Sequence, residues 1–372
     1  MAADPERYFP ASHPELSAAL DLFMANARHQ LGALGGVEAF VLAGGYGRGE
    51  GGVLVGDDGR EHLYNDLEFY LFTKGIPTAA LRHGVHQIER EGSRALELEV
   101  EIRMLPSRAL RRAVPSMFFY DLFWGHRVVY GPEDFVRRFT PDAVRDEDRI
   151  PLHEATRLLF NRGSGLLFAA AKLGGIDPDR DIRFIQRNHA KLKLALGDAW
   201  LAAHGEYHWS CVERNRRLKK HAITLPNGAV IQGFHDEGVQ FKLHPAHPML
   251  DDATLRAQQQ RLVALWTELF LWLEGKRLQT SFSTLSSYVH YAGRVLPEMS
   301  LLKAVLCHLR DILRYRGFVP RWRDYPRATL QRALAGALAS QDMLDGEGGA
   351  GVLSVSTSSF LAEYRRWWSR YH

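Results

Sequence analysis

The chain has 372 residues, of which 46% are apolar and 24% charged, with a net charge of +4 and two cysteines, Cys211 and Cys307. That balance excludes a wholly disordered chain, and the length predicts roughly two domains. Two cysteines exclude a disulfide scaffold and a cysteine-rich zinc module, and no apolar run approaches the roughly 18 residues of a membrane span.

The first residues, MAADPERYFP, are acidic and hold no apolar signal core, so a cytoplasmic setting is expected. Residues 14–34 predict an amphipathic helix, because Leu16, Leu20, Phe23, Ala27 and Leu31 recur at helical spacing and Gly35 and Gly36 end it. Val37–Ala43 predicts a short buried strand. A glycine cluster at 44–52 leads into Val53-Leu54-Val55 and the turn Gly56–Gly59. A second strand is predicted at Leu67–Thr73. A third is predicted at Leu96–Met104, where Leu96, Leu98, Val100, Ile102 and Met104 alternate with Glu97, Glu99, Glu101 and Arg103. The charged stretch 141–150 carries no apolar pattern and marks a boundary, giving expected domains of 1–145 and 146–372. Beyond it, helices are predicted at 152–173, 181–204, 253–275, 297–316, 326–340 and 358–371. The Pro-, Gly- and His-bearing stretch 222–250 predicts a hairpin or long loop. Residues 346–351 predict a flexible joint, and Thr357–Ser359 a helix N-cap region.

Within the glycine cluster, Gly47, Gly49 and Gly52 fit the spacing of a dinucleotide fingerprint. That fingerprint needs a helix straight after it, and Val53-Leu54-Val55 follows instead. A P-loop needs Gly-Lys-Ser/Thr, which is absent. Two carboxylates, Asp66 and Glu68, stand two apart on the second strand and so share a face, while Leu67, Phe69 and Leu71 turn to the core. A third acid comes from the Glu97, Glu99 and Glu101 face. Carboxylates converging on one point repel each other unless a cation lies between them, and oxygen donors suit Mg²⁺. Two such ions stabilise the attacking and leaving oxygens of a phosphoryl displacement.

A strand, Gly-Gly with Arg and Glu in the following loop, then Asp-x-Glu on a strand and a later strand acid together resemble the nucleotidyltransferase superfamily typified by DNA polymerase beta. The loop Gly44–Glu50 is similar to that of bacterial uridylyltransferases and of small-molecule (antibiotic) nucleotidyltransferases. Val128–Phe135 is similar to the Tyr-Gly stretch that closes such domains, and the resemblance spans about residues 37–135. It implies an α+β fold, with an N-terminal polymerase-beta-like domain on a small mixed sheet followed by a mostly α-helical domain. It implies transfer of a nucleoside monophosphate from an NTP to a hydroxyl, with pyrophosphate released. Gly44 and Gly45 would approach the triphosphate, Asp66 and Glu68 would hold Mg²⁺, and Glu101 would be the third carboxylate, with Glu99 as the alternative. Lys191 would hold triphosphate from the helix 181–204, where it shares a face with Arg187, Leu194 and Asp198. Two departures stand out: an unusually long Gly45–Asp66 segment, and Glu68 where Asp is commoner.

Asp198 faces either the acceptor or nucleotide, or forms a surface pair with Lys191. Arg162 interrupts the apolar run Leu158–Leu167, and an arginine there is costly unless it meets an anion, so it is a phosphate candidate. Arg48 and Glu50 are expected to pin the loop by a local ion pair. The 17 histidines give no metal-ligand spacing; His204 and His208 lack the H-E-x-x-H order.

Residues 1–140 carry 15 basic and 19 acidic side chains, a balance of −4, against 32 and 24, or +8, in the remainder. The excess is unclustered, so an anionic nucleotide is expected rather than nucleic acid. The expected acceptor is a small molecule or a protein, no membrane is expected, and the oligomeric state is open. The other expectation is a degenerate, non-catalytic relative that binds a nucleotide or partner as a sensor.

Overall fold

The computed structural model describes residues 8–177, 179, 181–311, 321–340 and 357–371. The chain forms two compact units. One comprises Met1–Pro151, His204–His221 and Val239–Ala246; the other comprises Leu152–Ala203, Ala222–Gly238 and His247–His372.

Helix α1 (Pro14–Gly32) starts on a proline, whose fixed backbone suits the first helical turn, and buries Leu20, Phe23, Met24, Ala27 and Leu31. Then come β1 (Val37–Leu42), the single turn α2 (Gly44–Gly47), the hairpin β2 (Gly52–Val55) and β3 (Glu61–Tyr64), and β4 (Leu67–Thr73). Helix α3 (Ala79–Ala95) carries the chain across to β5 (Val100–Pro106), which pairs parallel with β4, as a parallel pair requires. Helices α4 (Arg108–Arg111) and α5 (Met117–Trp124), strand β6 (Arg127–Tyr130) and helix α6 (Phe135–Phe139) follow. The sheet order is β5-β4-β1-β6, with β1 antiparallel to both β4 and β6, so the fold is α+β on a small mixed sheet.

Strand alternation sends Phe40, Leu42, Leu67, Phe69 and Leu71 to one face, against residues of α1 and α3. Ala39, Val41, Tyr70 and Phe72 pack on the other, with Leu110, Leu122, Phe135 and Val136. Both faces are covered, which draws Glu68, on the second of them, partly out of water.

Beyond residue 151 the described chain is helical: α7 (Leu152–Leu173), α8 (Ile182–Ala203), α9 (Cys211–Leu218), α10 (Gly228–Leu243), α11 (Asp252–Leu278), α12 (Leu285–His290), α13 (Leu301–Asp311), α14 (Pro326–Ala339) and α15 (Thr357–Tyr371). In the second unit the indole N–H of buried Trp266 donates to the Leu159 carbonyl at 2.8 Å, and its ring stacks on Phe270. No helix among the described residues is long and apolar enough to cross a membrane.

Two expectations are corrected. The third strand begins at Val100, not Leu96: Leu96 caps α3 and Glu97 is left-handed at φ 51°. Leu96 and Leu98 pack beside the apolar stripe Leu81-Val85-Ile88 of a helix the strand reading overlooked, and their alternation with Glu97 and Glu99 belongs to a turn. The stretch 222–250 contains helix α10 rather than a hairpin. Its prolines bracket the helix, Ile231, His235 and Val239 form a buried stripe at i, i+4 spacing, and Gly238 lies against the Leu194 backbone, where a Cβ would be 2.5 Å from the amide nitrogen. The predicted helix 297–316 is described only as Leu301–Asp311. Residues 312–316 and the predicted joint 346–351 lie outside the described residues.

Candidate functional site

The end of β1 and the start of β4 bring the glycine cluster and the carboxylates together. The Ala43 amide donates to the Glu68 carbonyl at 2.8 Å, and the chain then winds into α2. Gly44 sits at φ +63°, and a Cβ there would be 3.2 Å from the Glu68 carboxyl carbon. Only glycine both adopts that backbone readily and lets the loop lie on the carboxylate. The Gly45 carbonyl accepts from the Glu50 amide at 2.8 Å and closes the turn.

Asn65, left-handed at φ 70°, turns the chain so that Asp66 immediately precedes β4. In the parallel register Glu68 stands directly beside Glu101 on β5. Burial first, then the neighbouring Asp66, push the Glu68 carboxyl above its ordinary range, and Glu101 adds to this; Arg48 and Arg103 pull the other way. Glu101 is held by a bidentate Arg103, at 2.7 and 3.1 Å. Glu99 precedes the strand and is exposed, with only its carbonyl engaged, by the Leu67 amide at 2.9 Å. Among the described residues no three His, Cys, Asp or Glu side chains are gathered closely enough to hold a metal ion.

Behind the loop lies a buried ionic network. Glu50, 5% exposed, accepts from Ser210 Oγ at 2.6 Å and from the Cys211 and Val212 amides at 3.1 and 3.3 Å, and so sits at the start of α9. Arg48 lies 3.8 Å and Lys242 3.5 Å from its carboxylate. Burial opposes the Glu50 charge, but Lys242, Arg48 and the Ser210 hydroxyl outweigh it and hold the carboxyl down at about 2. Arg48 also donates to Asp121 on α5 at 3.2 Å, and Tyr207 donates to the same oxygen at 3.2 Å. Asp121 differs from Glu50: burial pushes it up to about 6 despite Arg48, Arg214 and Lys242, and its Oδ1 has no hydrogen-bond partner. The Arg48–Glu50 pair matches the sequence reading. Asp121, Ser210, Arg214 and Lys242 were missed. Asp121 carried a usable signal, since a lone acid in MFFYDLFW must find a cation once buried, as argued for Arg162.

The remaining candidates lie in the second unit. Arg162 is half-buried on α7; its neighbour Asn161 keeps a buried side-chain oxygen without a hydrogen-bond partner. Arg187 and Lys191 are half-buried on α8, with the Arg187 guanidinium 5.9 Å from the Phe184 ring centre. Asp198 is buried rather than part of a surface pair, and lies 2.9 Å from Nε2 of the fully buried His235 on α10. With 222–250 read as a loop, His235 carried no signal.

No protein-family profile matches the sequence, and no curated protein matches it. Among solved structures, the chain is similar to a spectinomycin adenyltransferase from Enterococcus faecialis crystallised with ATP and spectinomycin. Identity is 12%, the match covers 68% of this chain and 99% of that chain, and the TM-score is 0.35. A likeness at this level assigns neither family nor activity.

Proposed function

We propose that the first unit carries a Mg²⁺-dependent nucleotidyltransferase site, which moves a nucleoside monophosphate from an NTP to a hydroxyl of a small molecule or protein and releases pyrophosphate. The observation that supports this reading is the seat of Glu68. Its carboxylate is drawn out of water between Asp66 and Glu101 and lies under the left-handed Gly44 of a glycine turn. An acid so crowded by like charge is poorly satisfied without a cation, and carboxylate oxygens are the donors Mg²⁺ prefers.

In this reading Asp66 and Glu68 would hold the metal, with Glu101, which Arg103 binds, as the third carboxylate. Bound Mg²⁺ would neutralise charge developing on the triphosphate. Gly44 and Gly45 let backbone approach the phosphates closely. Arg48 and Glu50 keep the turn in place, a positioning role, since most catalytic advantage in such transfer comes from orientation and fixed charge. For Arg162, Arg187 and Lys191, all on the second unit, we propose phosphate-binding roles, and for Asp198 a supporting role.

A second reading, a nucleotide- or partner-binding protein without turnover, draws on the Arg103 grip on Glu101 and the absence of a gathered three-acid group among the described residues. Incubation with each α-labelled NTP, Mg²⁺ and candidate acceptors separates the two. Transfer of label that vanishes in Asp66→Asn supports the enzyme. NTP binding without transfer supports the sensor, and neither binding nor transfer defeats both.

A further inference from the structure

The first 140 residues are acidic overall, yet residues 103–138 carry seven arginines against three acids, Asp121, Glu133 and Asp134. Five of these arginines stand on two short helices that pack together: Arg108, Arg111 and Arg112 in and just after α4, and Arg137 and Arg138 in α6. All five are exposed. None has a carboxylate within 4.0 Å among the described residues. The guanidiniums of Arg111 and Arg138 both lie over the Phe139 ring, 4.7 and 5.5 Å from its centre, so the ring ties the two helices' cations into one face.

Unpaired guanidiniums held this close repel one another, and the arrangement is relieved by an anion carrying several charges. We propose that this arginine face binds the phosphate backbone of a single-stranded nucleic acid. Guanidiniums match phosphate geometry with paired N–H donors, and their flat faces accept stacked bases. A duplex read through its major groove needs a longer helix than α4 or α6, which have 4 and 5 residues. A protein partner needs an apolar centre and a membrane needs apolar anchors, whereas Val114 is the one large apolar side chain exposed between residues 103 and 138. Arg108 follows the far end of β5 from Glu101, roughly 17 Å along the strand, so this surface is distinct from the proposed nucleotide site.

Fluorescence anisotropy of a labelled oligouridylate titrated with the full chain, over a series of salt concentrations, tests the proposal without requiring turnover. Each phosphate engaged on a single strand contributes about −0.7 to the log–log salt slope, so five arginines predict a slope of about −3.5. The double variant Arg111→Gln, Arg138→Gln is expected to flatten the slope by about 1.4 and to bind less tightly at low salt. Arg60→Gln, in an exposed turn, is expected to change neither. Because all these side chains are exposed, unchanged circular dichroism and Tm are expected, and they establish that the variants are folded. The proposal is overturned by absence of binding at low salt, by a double variant that binds like wild type, or by phosphatidylserine vesicles or polyglutamate binding more tightly than the oligonucleotide.

Discussion

Two acids that flank the same glycine turn, Glu50 and Glu68, are treated in opposite ways, each with its own neighbouring acids. Glu50 and Asp121 lie among Arg48, Arg214 and Lys242, and Glu50 is held down at about 2. Glu68, beside Asp66 and Glu101, is offset by Arg48 and then Arg103, yet it is raised. Within the first group Glu50 satisfies its charge inside the fold and so fixes structure, while burial keeps Asp121 raised despite the same cations. The second keeps like charges together at a cost that a bound cation would remove. A buried acid therefore says little until its cations have been counted.

The largest expected effect is on transfer: Asp66→Asn and Glu68→Gln should each lower the rate of label transfer on the order of 100-fold or more, because several kcal/mol of charge stabilisation is lost. Thermal melting in the absence of metal should show Glu68→Gln at or above the wild-type Tm, since the variant relieves repulsion. Glu50→Gln should behave in the opposite way. It leaves Lys242 and the first amides of α9 short of a buried partner and should cost about 3 kcal/mol in urea unfolding. If Glu50→Gln is as stable as wild type, or Glu68→Gln is the less stable of the two, the contrast between the groups is lost.

Acid should separate the members of the first group. Glu50 is depressed in the fold, so its stabilisation is intact above its unfolded value near 4.5 and drains away as pH falls from there towards 2. Asp121 is raised, so its charged form costs stability above about pH 6, and that cost lifts as pH falls from 6 towards 3.8. Urea titrations across pH should show Asp121→Asn removing the gain between pH 6 and 4 while leaving the loss below pH 4.5 in place. A smaller effect is expected from Gly44→Ala, about 1 to 2 kcal/mol, from its left-handed backbone and the crowding of the new Cβ on Glu68.

The sequence showed the parts of this contrast that depend on spacing. The spacing of Asp66 and Glu68 about apolar Leu67 marked two neighbouring acids, although Asp66 immediately precedes β4 rather than lying on it, and the helical periods of α1, α7, α8 and α11 fixed those elements closely. Glu101 was legible as an acid between apolar residues, but its register beside Glu68 depends on α3, which was hidden because its last turn and the following loop happen to alternate. The cations that neutralise Glu50 arrive from residues 214 and 242, about 160 to 190 positions along the chain. Nothing local marks such distant partners. His235 was obscured for a related reason: the glycines of α10 read as breaks, whereas Gly238 marks a close approach to α8.

Isothermal titration of Mg²⁺ into the chain with a non-hydrolysable NTP, repeated with Asp66→Asn, Glu68→Gln and Glu50→Gln, tests the central claim most directly. Metal-dependent nucleotide binding is expected in wild type, lost in Asp66→Asn and Glu68→Gln, and retained by whatever fraction of Glu50→Gln remains folded. Undiminished Mg²⁺-dependent binding in Asp66→Asn and Glu68→Gln, or no such binding in wild type, would contradict the assignment of these carboxylates to a metal and nucleotide site.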